Sequence, residues 1–264
     1  MTDGAPQPIL SFGSRARAEA RALAGEVAVA ISYGGSTHAV MMATPEDLID
    51  FAYGFSLTEG IVRQAGEIEA VEVVAFERGI DVQIDLRADR SQALVSRRRS
   101  MAGPVGCGLC GLESLDAAMR AVPSVPEGGL VLDEAAVNAA AAALSRSQPL
   151  FASTRAVHGA GFFRGGTMAA VREDVGRHNA LDKLIGALAR TGEDAAGGAI
   201  VVSSRLSVEM VQKAAIARAP VLIAISAPTS LAVATAAAAG ITLIASARGD
   251  GFSVYTHADR ITHG

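Results

Sequence analysis

The sequence is poor in the features that most often announce a function. It has only two cysteines in 264 residues, Cys107 and Cys110. Three positions apart, they are too close for a fold-defining bridge, so a secreted disulfide scaffold is not expected. Neither sign of charge dominates: 23 Lys+Arg stand against 27 Asp+Glu, a net charge of -4. Nothing general therefore draws the chain to nucleic acid or to an anionic membrane. No apolar run reaches the roughly 20 residues of a membrane span. The longest are alanine-rich and are broken by Pro220, Pro228, Thr229, Ser230 and Gly240. Met1 to Pro6 carries no basic segment leading into an apolar one, so no export signal is read and a cytoplasmic protein is expected. Walker and dinucleotide glycine fingerprints are missing, and so is any internal repeat.

What is present is a large apolar chain, 50% hydrophobic and 19% charged. At about 100–200 residues per domain it makes one large domain or two modest ones. Residues 1–13 lack periodicity and read as a loose lead-in. Val27 to Ile31 and Thr37 to Ala43 read as strands joined by the turn Tyr33-Gly34-Gly35-Ser36. Thr44-Pro45-Glu46-Asp47 reads as a helix start, with Thr44 as N-cap, Pro45 in the first position and Asp47 third. Residues 70–87 alternate as strands, and 112–121 and 133–146 read as helices. From Gly198 onward, apolar strands at Ile200–Ser203, Val221–Ile225 and Ile241–Ala245 alternate with helices at Ser207–Ala217 and Thr229–Ala239. Two successive crossovers predict a largely parallel sheet covered on both faces, with Phe252–Thr256 as a last edge strand.

Three groups of residues can carry chemistry. Cys107-Gly108-Leu109-Cys110 lies in a glycine-rich loop just after Arg97-Arg98-Arg99. Structural zinc needs four ligands, and no second pair completes the set. Inert cysteines and thiol chemistry remain open; glycines on either side would let another molecule approach the sulfur. The second group is Arg172 to Lys183, where Asp174, Arg177, His178, Asn179 and Asp182 crowd the start of a helix. Asp182, four residues after His178, is placed to orient the imidazole. A capping network with a satisfied histidine is the plain alternative. His158, taken alone, reads as structural. The third group is a set of loops after predicted parallel strands: Ser203–Ser207, Ser226–Ser230 and Arg248–Gly251. Open α/β sheets bind ligands beyond the carboxyl ends of their strands, where helix N-termini offer free amides to phosphate. Together these loops favour a phosphate-rich, nucleotide-like ligand.

The motifs together resemble the formate dehydrogenase accessory sulfurtransferase (FdhD) family, from about Glu26 to His257. The resemblance rests on Gly54 to Ile61, Cys107 to Gly111, Val171 to Lys183, Val202 to Lys213 and Ser226 to Ser230. It implies an α/β fold: a cytidine-deaminase-like three-layer α/β/α domain over 101–264, preceded by a smaller α+β domain over 14–100. It implies a sulfurtransferase that takes persulfide sulfur from a cysteine desulfurase. The sulfur passes to the molybdenum cofactor, in its bis-guanine dinucleotide form, for formate dehydrogenase. Cys107 matches the persulfide carrier and Cys110 the second cysteine. The cofactor-binding segment matches Ser246, Ala247, Arg248, Gly249, Asp250 and Gly251. Ser204, Arg205, His178, Asp174 and Asp182 are expected to complete the hold on the dinucleotide, and GDP-like ligands to bind. A homodimer is implied, with no structural metal. Thr154-Arg155-Ala156-Val157-His158 and Ser203-Ser204-Arg205 lack glycines that many members carry. Two rivals stand beside this reading. One is a non-enzymatic cofactor chaperone. The other is a zinc-dependent nucleotide enzyme, which the missing glutamate after His158 disfavours.

Overall fold

The computed structural model describes residues 7–11, 17–92, 122–125, 129–249 and 251–263. The cysteine loop, the basic run at 97–99, the helix expected at 112–121 and Asp250 lie outside the described residues. Strand β1 (Gln7–Ser11) pairs antiparallel with β2 (Arg17–Arg21), so the expected lead-in is in part a hairpin. Pro8 is tolerated there because a two-stranded sheet is all edge.

Four strands follow: β3 (Val27–Tyr33), β4 (Ser36–Ala43), β5 (Ile68–Phe76) and β6 (Gly79–Leu86), in the order β4-β3-β6-β5. Alternate residues Val29, Ile31 and Tyr33 of β3 and Ile80, Val82 and Ile84 of β6 are buried on one face. They pack on Leu48, Phe51, Ala52 and Phe55 of helix α1 (Leu48–Thr58). The helix begins later than expected. Asp47, in the left-handed region at φ 55°, is its N-cap. Thr44 turns inward instead: its amide donates to Asp174 Oδ2 at 3.0 Å and its hydroxyl accepts from the Val175 amide at 3.1 Å. A partner 130 residues away outweighs the local capping preference.

Beyond β7 (Leu132–Asp133), Asp133 caps helix α2 (Glu134–Arg146), its carboxylate accepting from the Ala136 amide at 2.7 Å. A short helix α3 (Pro149–Thr154) leads to β8 (His158–Arg164) and β9 (Thr167–Asp174). Helix α4 (Arg177–Thr191), β10 (Ala199–Val202), α5 (Val208–Ile216), β11 (Val221–Ala224), α6 (Ser230–Ala239), β12 (Thr242–Arg248) and β13 (Gly251–Val254) then follow. A two-residue strand β14 (Ile261–Thr262) closes on β7. Strands β8 to β13 form one sheet, ordered β13-β12-β11-β10-β8-β9. Its strands alternate between two cores. Ile200, Val202, Leu222 and Leu243 face α4, α5 and α6, while Ala199, Val201, Val221 and Ile223 face α2. That is a three-layer α/β/α arrangement, and the continuous apolar runs are what burial on both faces requires.

The sheet is mixed rather than largely parallel. β10, β11 and β12 run parallel, but β8, β9 and β13 are antiparallel to their neighbours. Between β8 and β9 the reason is local. Gly165 and Gly166, at φ 57° and 79°, turn β8 back into β9 in two residues, and so short a connection joins only antiparallel strands.

The two sheets meet across α1 and α4. A Cβ placed on Gly54 would overlap the Asp182 carbonyl, and one on Gly186 would overlap the Asp50 carbonyl. Two glycines thus let the helices cross backbone to backbone. Among the described residues, no helix is long and apolar enough to cross a membrane.

Candidate functional site

The carboxyl ends of β10, β11 and β12 point to one edge of the six-stranded sheet, and antiparallel pairing brings the start of β8 and the end of β9 there too. The loops on this edge are laced together. The Ser203 amide donates to Gly159 O at 2.9 Å, and Ser203 Oγ accepts from the Gly159 amide at 2.9 Å. Leu206 N donates to Ala227 O, Thr229 N to Leu206 O, and Ser246 N to Ser226 O. Ser203–Ser207, Ser226–Ser230 and the Ser246 bend are therefore neighbours, as their places after parallel strands predict.

Three helices start at this edge. Thr229 caps α6, its hydroxyl accepting from the Ala232 amide at 3.2 Å. The N-caps of α4 and α5, Gly176 and Ser207, make no side-chain cap bond. First-turn amides with the positive end of a helix dipole suit an anion. Arg205 is exposed, while Ser204 is buried and its hydroxyl donates to Arg205 O at 3.0 Å. Ser246 is exposed and left-handed at φ 55°, within an irregularity between Ala245 and Arg248. Arg248 Nε donates to Ile225 O at 2.9 Å. Gly249 and Gly251 are exposed, but the Ala247 side chain is buried in the core against α2.

The dense motif at 172–183 divides into two. Asp174 and Asp182 are enclosed, at 0% and 2% exposure, and neither opens on the edge. Asp174 lies 2.6 Å from Lys183 Nζ and accepts from the Thr44 and Gly176 amides and from Asn179 Nδ2. Lys183 also donates to Thr44 O at 2.9 Å. Asp182 accepts from Lys213 Nζ at 2.9 Å and from Thr58 Oγ1 at 2.7 Å. Burial pushes the Asp182 carboxyl up, against the downward pull of Lys213 and Thr58. Both aspartates thus tie the α1 segment to α4, α5 and β9.

Arg177 and His178 remain half-buried at the mouth of α4. The Nε of Arg177 is buried with no hydrogen-bond partner among the described residues. His178 takes its carboxylate neighbour from α5, not from Asp182: Nε2 stands 3.4 Å from Glu209 Oε2, an ion-pair distance without hydrogen-bond alignment. Burial, then Arg177 and Lys213, hold the His178 imidazole below its usual range, and Glu209 opposes them. His158 is lowered by burial, Arg177 and His178, with Asp174 opposing. Glu209 is lowered first by the Ser207 hydroxyl, which donates to Oε2 at 2.7 Å. Glu209 was not singled out from the sequence. The signal was the Ser207-Val208-Glu209 helix start, but its meeting with His178 depends on two helices 30 residues apart.

The edge thus sets two helix starts without a side-chain cap bond, a buried Arg177 Nε without a partner among the described residues, and a histidine beside a carboxylate on a three-layer α/β/α protein. Comparison with known proteins assigns the family. Residues 24–262 match the FdhD/NarQ family, and the chain belongs to it. It is 59% identical over 243 residues to the sulfur carrier protein FdhD of Agrobacterium fabrum, covering 91% of this chain and 89% of that one. The sulfur carrier protein FdhD of Brucella abortus is 55% identical over 237 residues, covering 89% and 88%. A crystal structure of a formate dehydrogenase accessory protein from Desulfotalea psychrophila superposes with a TM-score of 0.74 at 25% identity, covering 97% of this chain and 98% of that one.

Proposed function

We propose that this chain is a sulfur carrier for formate dehydrogenase maturation, acting as a sulfurtransferase. Cys107 takes sulfur as a persulfide from a cysteine desulfurase. As thiolate it attacks the donor's terminal sulfur; a new S–S bond forms, the donor S–S bond breaks, and the donor cysteine leaves. Cys110 assists. The acceptor is the molybdenum cofactor in its bis-guanine dinucleotide form, which is cargo rather than a resident group.

The observation that carries the reading is the family match over 24–262, a span that includes both cysteines, with relatives named as sulfur carriers. The sheet edge supports the cargo. The first-turn amides of α4 and α5, whose N-caps make no side-chain bond, suit diphosphate together with Arg205 and the exposed Ser246, Arg248 and Gly249, and His178 borders them. Asp174 and Asp182, buried among their own partners, brace the edge from behind rather than touching the nucleotide.

The test is sulfur labelling. Incubation with a cysteine desulfurase and cysteine should add sulfur to the peptide holding Cys107, seen by mass spectrometry. Cys107→Ala should abolish that label and the maturation of formate dehydrogenase, and Cys110→Ala should reduce both less. Full maturation by Cys107→Ala would leave a cofactor chaperone in place of a carrier.

A further inference from the structure

Helix α1 covers one face of the four-stranded sheet, and the pairing register composes the other. Cross-strand partners put Val40, Ala30, Asp81 and Val74 in one row across β4, β3, β6 and β5. The next row on that face begins at Met42, opposite Ala28, and ends at Phe76, opposite Gly79. A Cβ on Gly79 would overlap the Ala28 carbonyl, so the middle of that row carries nothing larger than a methyl. The two outer strands raise apolar walls: Val40 is 63% exposed, Met42 50% and Phe76 57%. Small residues of the two inner strands make the floor, with the half-buried Asp81 set in it. Three strand spacings of about 4.8 Å put the walls about 14 Å apart, which admits an α-helix about 10–12 Å across.

The charge on this sheet has one sign. Strands β3, β4, β5 and β6 hold no lysine or arginine, and they carry Glu69, Glu72, Asp81 and Asp85. None of these four meets a cation among the described residues, whereas the buried Asp50, Glu67, Asp174 and Asp182 each do. Beyond the strands, Arg78 stands beside Glu77 in the β5–β6 turn, and Arg87 pairs with Asp89. Asp81 is fixed by neighbours on its own face: Ser32 Oγ donates to Oδ1 at 2.7 Å and Gln83 Nε2 to Oδ2 at 3.0 Å. Two neutral donors orient the carboxylate without cancelling its charge. We propose that this trough seats an amphipathic helix of a partner protein, with a lysine or arginine of that helix on Asp81. Apolar residues of the helix, spaced i, i+3, i+4 and i+7, rest on the walls. A second copy of this chain fits poorly. Packed face to face it would oppose like charges, over a face of only about 500 Å² per chain, while permanent dimers bury about 2,000 Å² or more in total. The trough opens away from α1, which packs on α4, so the helix sits without covering the edge of the six-stranded sheet. The inference goes beyond the sulfur-carrier reading and does not depend on it.

The probe is a synthetic helical peptide of about five turns, with leucines along one face and a lysine at the centre of that face. A second peptide carries glutamate in place of the lysine. Fluorescence anisotropy reads their affinities for the full chain at low salt, and methyl NMR follows the Val40 and Met42 signals. The lysine peptide should bind, shift both signals and exceed the glutamate peptide about tenfold in affinity. Asp81→Asn should level the two peptides, and Asp81→Lys should reverse their order, a result that a misfolded chain does not give. Equal affinities in the wild type, an order unchanged in Asp81→Lys, or shifts confined to the His178 edge overturn the inference. Sedimentation supplies the last arm: a wild-type dimer whose dissociation tracks loss of the Val40 and Met42 contacts would give the face to a second copy, and overturns it too.

Discussion

Helix α4 passes through two environments, and the same residue types do opposite work in them. Along its shaft, Asp182 and Lys183 are enclosed, and each meets a partner of opposite charge at 2.9 Å or less. At its mouth, Arg177 and His178 are half-open, with Arg177 Nε and His178 Nε2 left without hydrogen bonds among the described residues. Burial with a complete set of partners makes a charged group structural. Partial burial with partners missing leaves it available for a ligand or a proton. Composition alone does not tell the two apart, because both come from one run of twelve residues.

The sharpest way to break this comparison is to remove a partner in the shaft. Lys183→Met leaves the fully buried Asp174 without its cation, and should cost about 3–5 kcal/mol of unfolding free energy. Urea denaturation measures it; a loss as small as that of a surface change would mean the pair is not structural. The next test is the helix crossing. Gly186→Ala drives a methyl into the Asp50 carbonyl, backbone against backbone, and should cost about 3 kcal/mol. Gly66→Ala meets nothing within 4 Å, and should stay within about 0.5 kcal/mol in the same assay.

The smallest effect belongs to the mouth. His158 and His178 are both held below the usual imidazole value of 6.5, so the folded chain resists protons that the unfolded chain accepts. Their contribution is complete above 6.5 and is lost as pH falls through the folded values. Asp182, raised by burial, acts in the opposite sense further down the scale. Urea midpoints should fall on acidification below neutrality, and His178→Asn should flatten part of that slope. An unchanged slope would show that His178 does not titrate against the fold.

Much of this was legible in the chain. Strand runs at Ile200–Ser203, Val221–Ile225 and Ile241–Ala245, each with serine at or just beyond its end, marked parallel strands and the edge beyond them. The Gly34-Gly35 turn and the strands around it were equally plain, because β alternation and turn glycines are local signals. Gly165-Gly166 carried the same signal and went unread, so the largely parallel sheet expected from the two crossovers lacked the β8–β9 hairpin. The division of the 172–183 motif was not legible, since spacing along a helix gives its face but not what covers it.

By itself the sequence determined the alternating strands and helices after Gly198, the order of the loops on the sheet edge and the family signature. These follow from periodicity and from residue types placed close together in the chain. Tertiary structure alone decided that Thr44 bonds Asp174 instead of capping a helix, that Asp182 serves Lys213 instead of His178, and that Glu209 meets His178. Each depends on partners 30 or more residues apart, and whether a charge is buried or open is settled only when those distant segments pack.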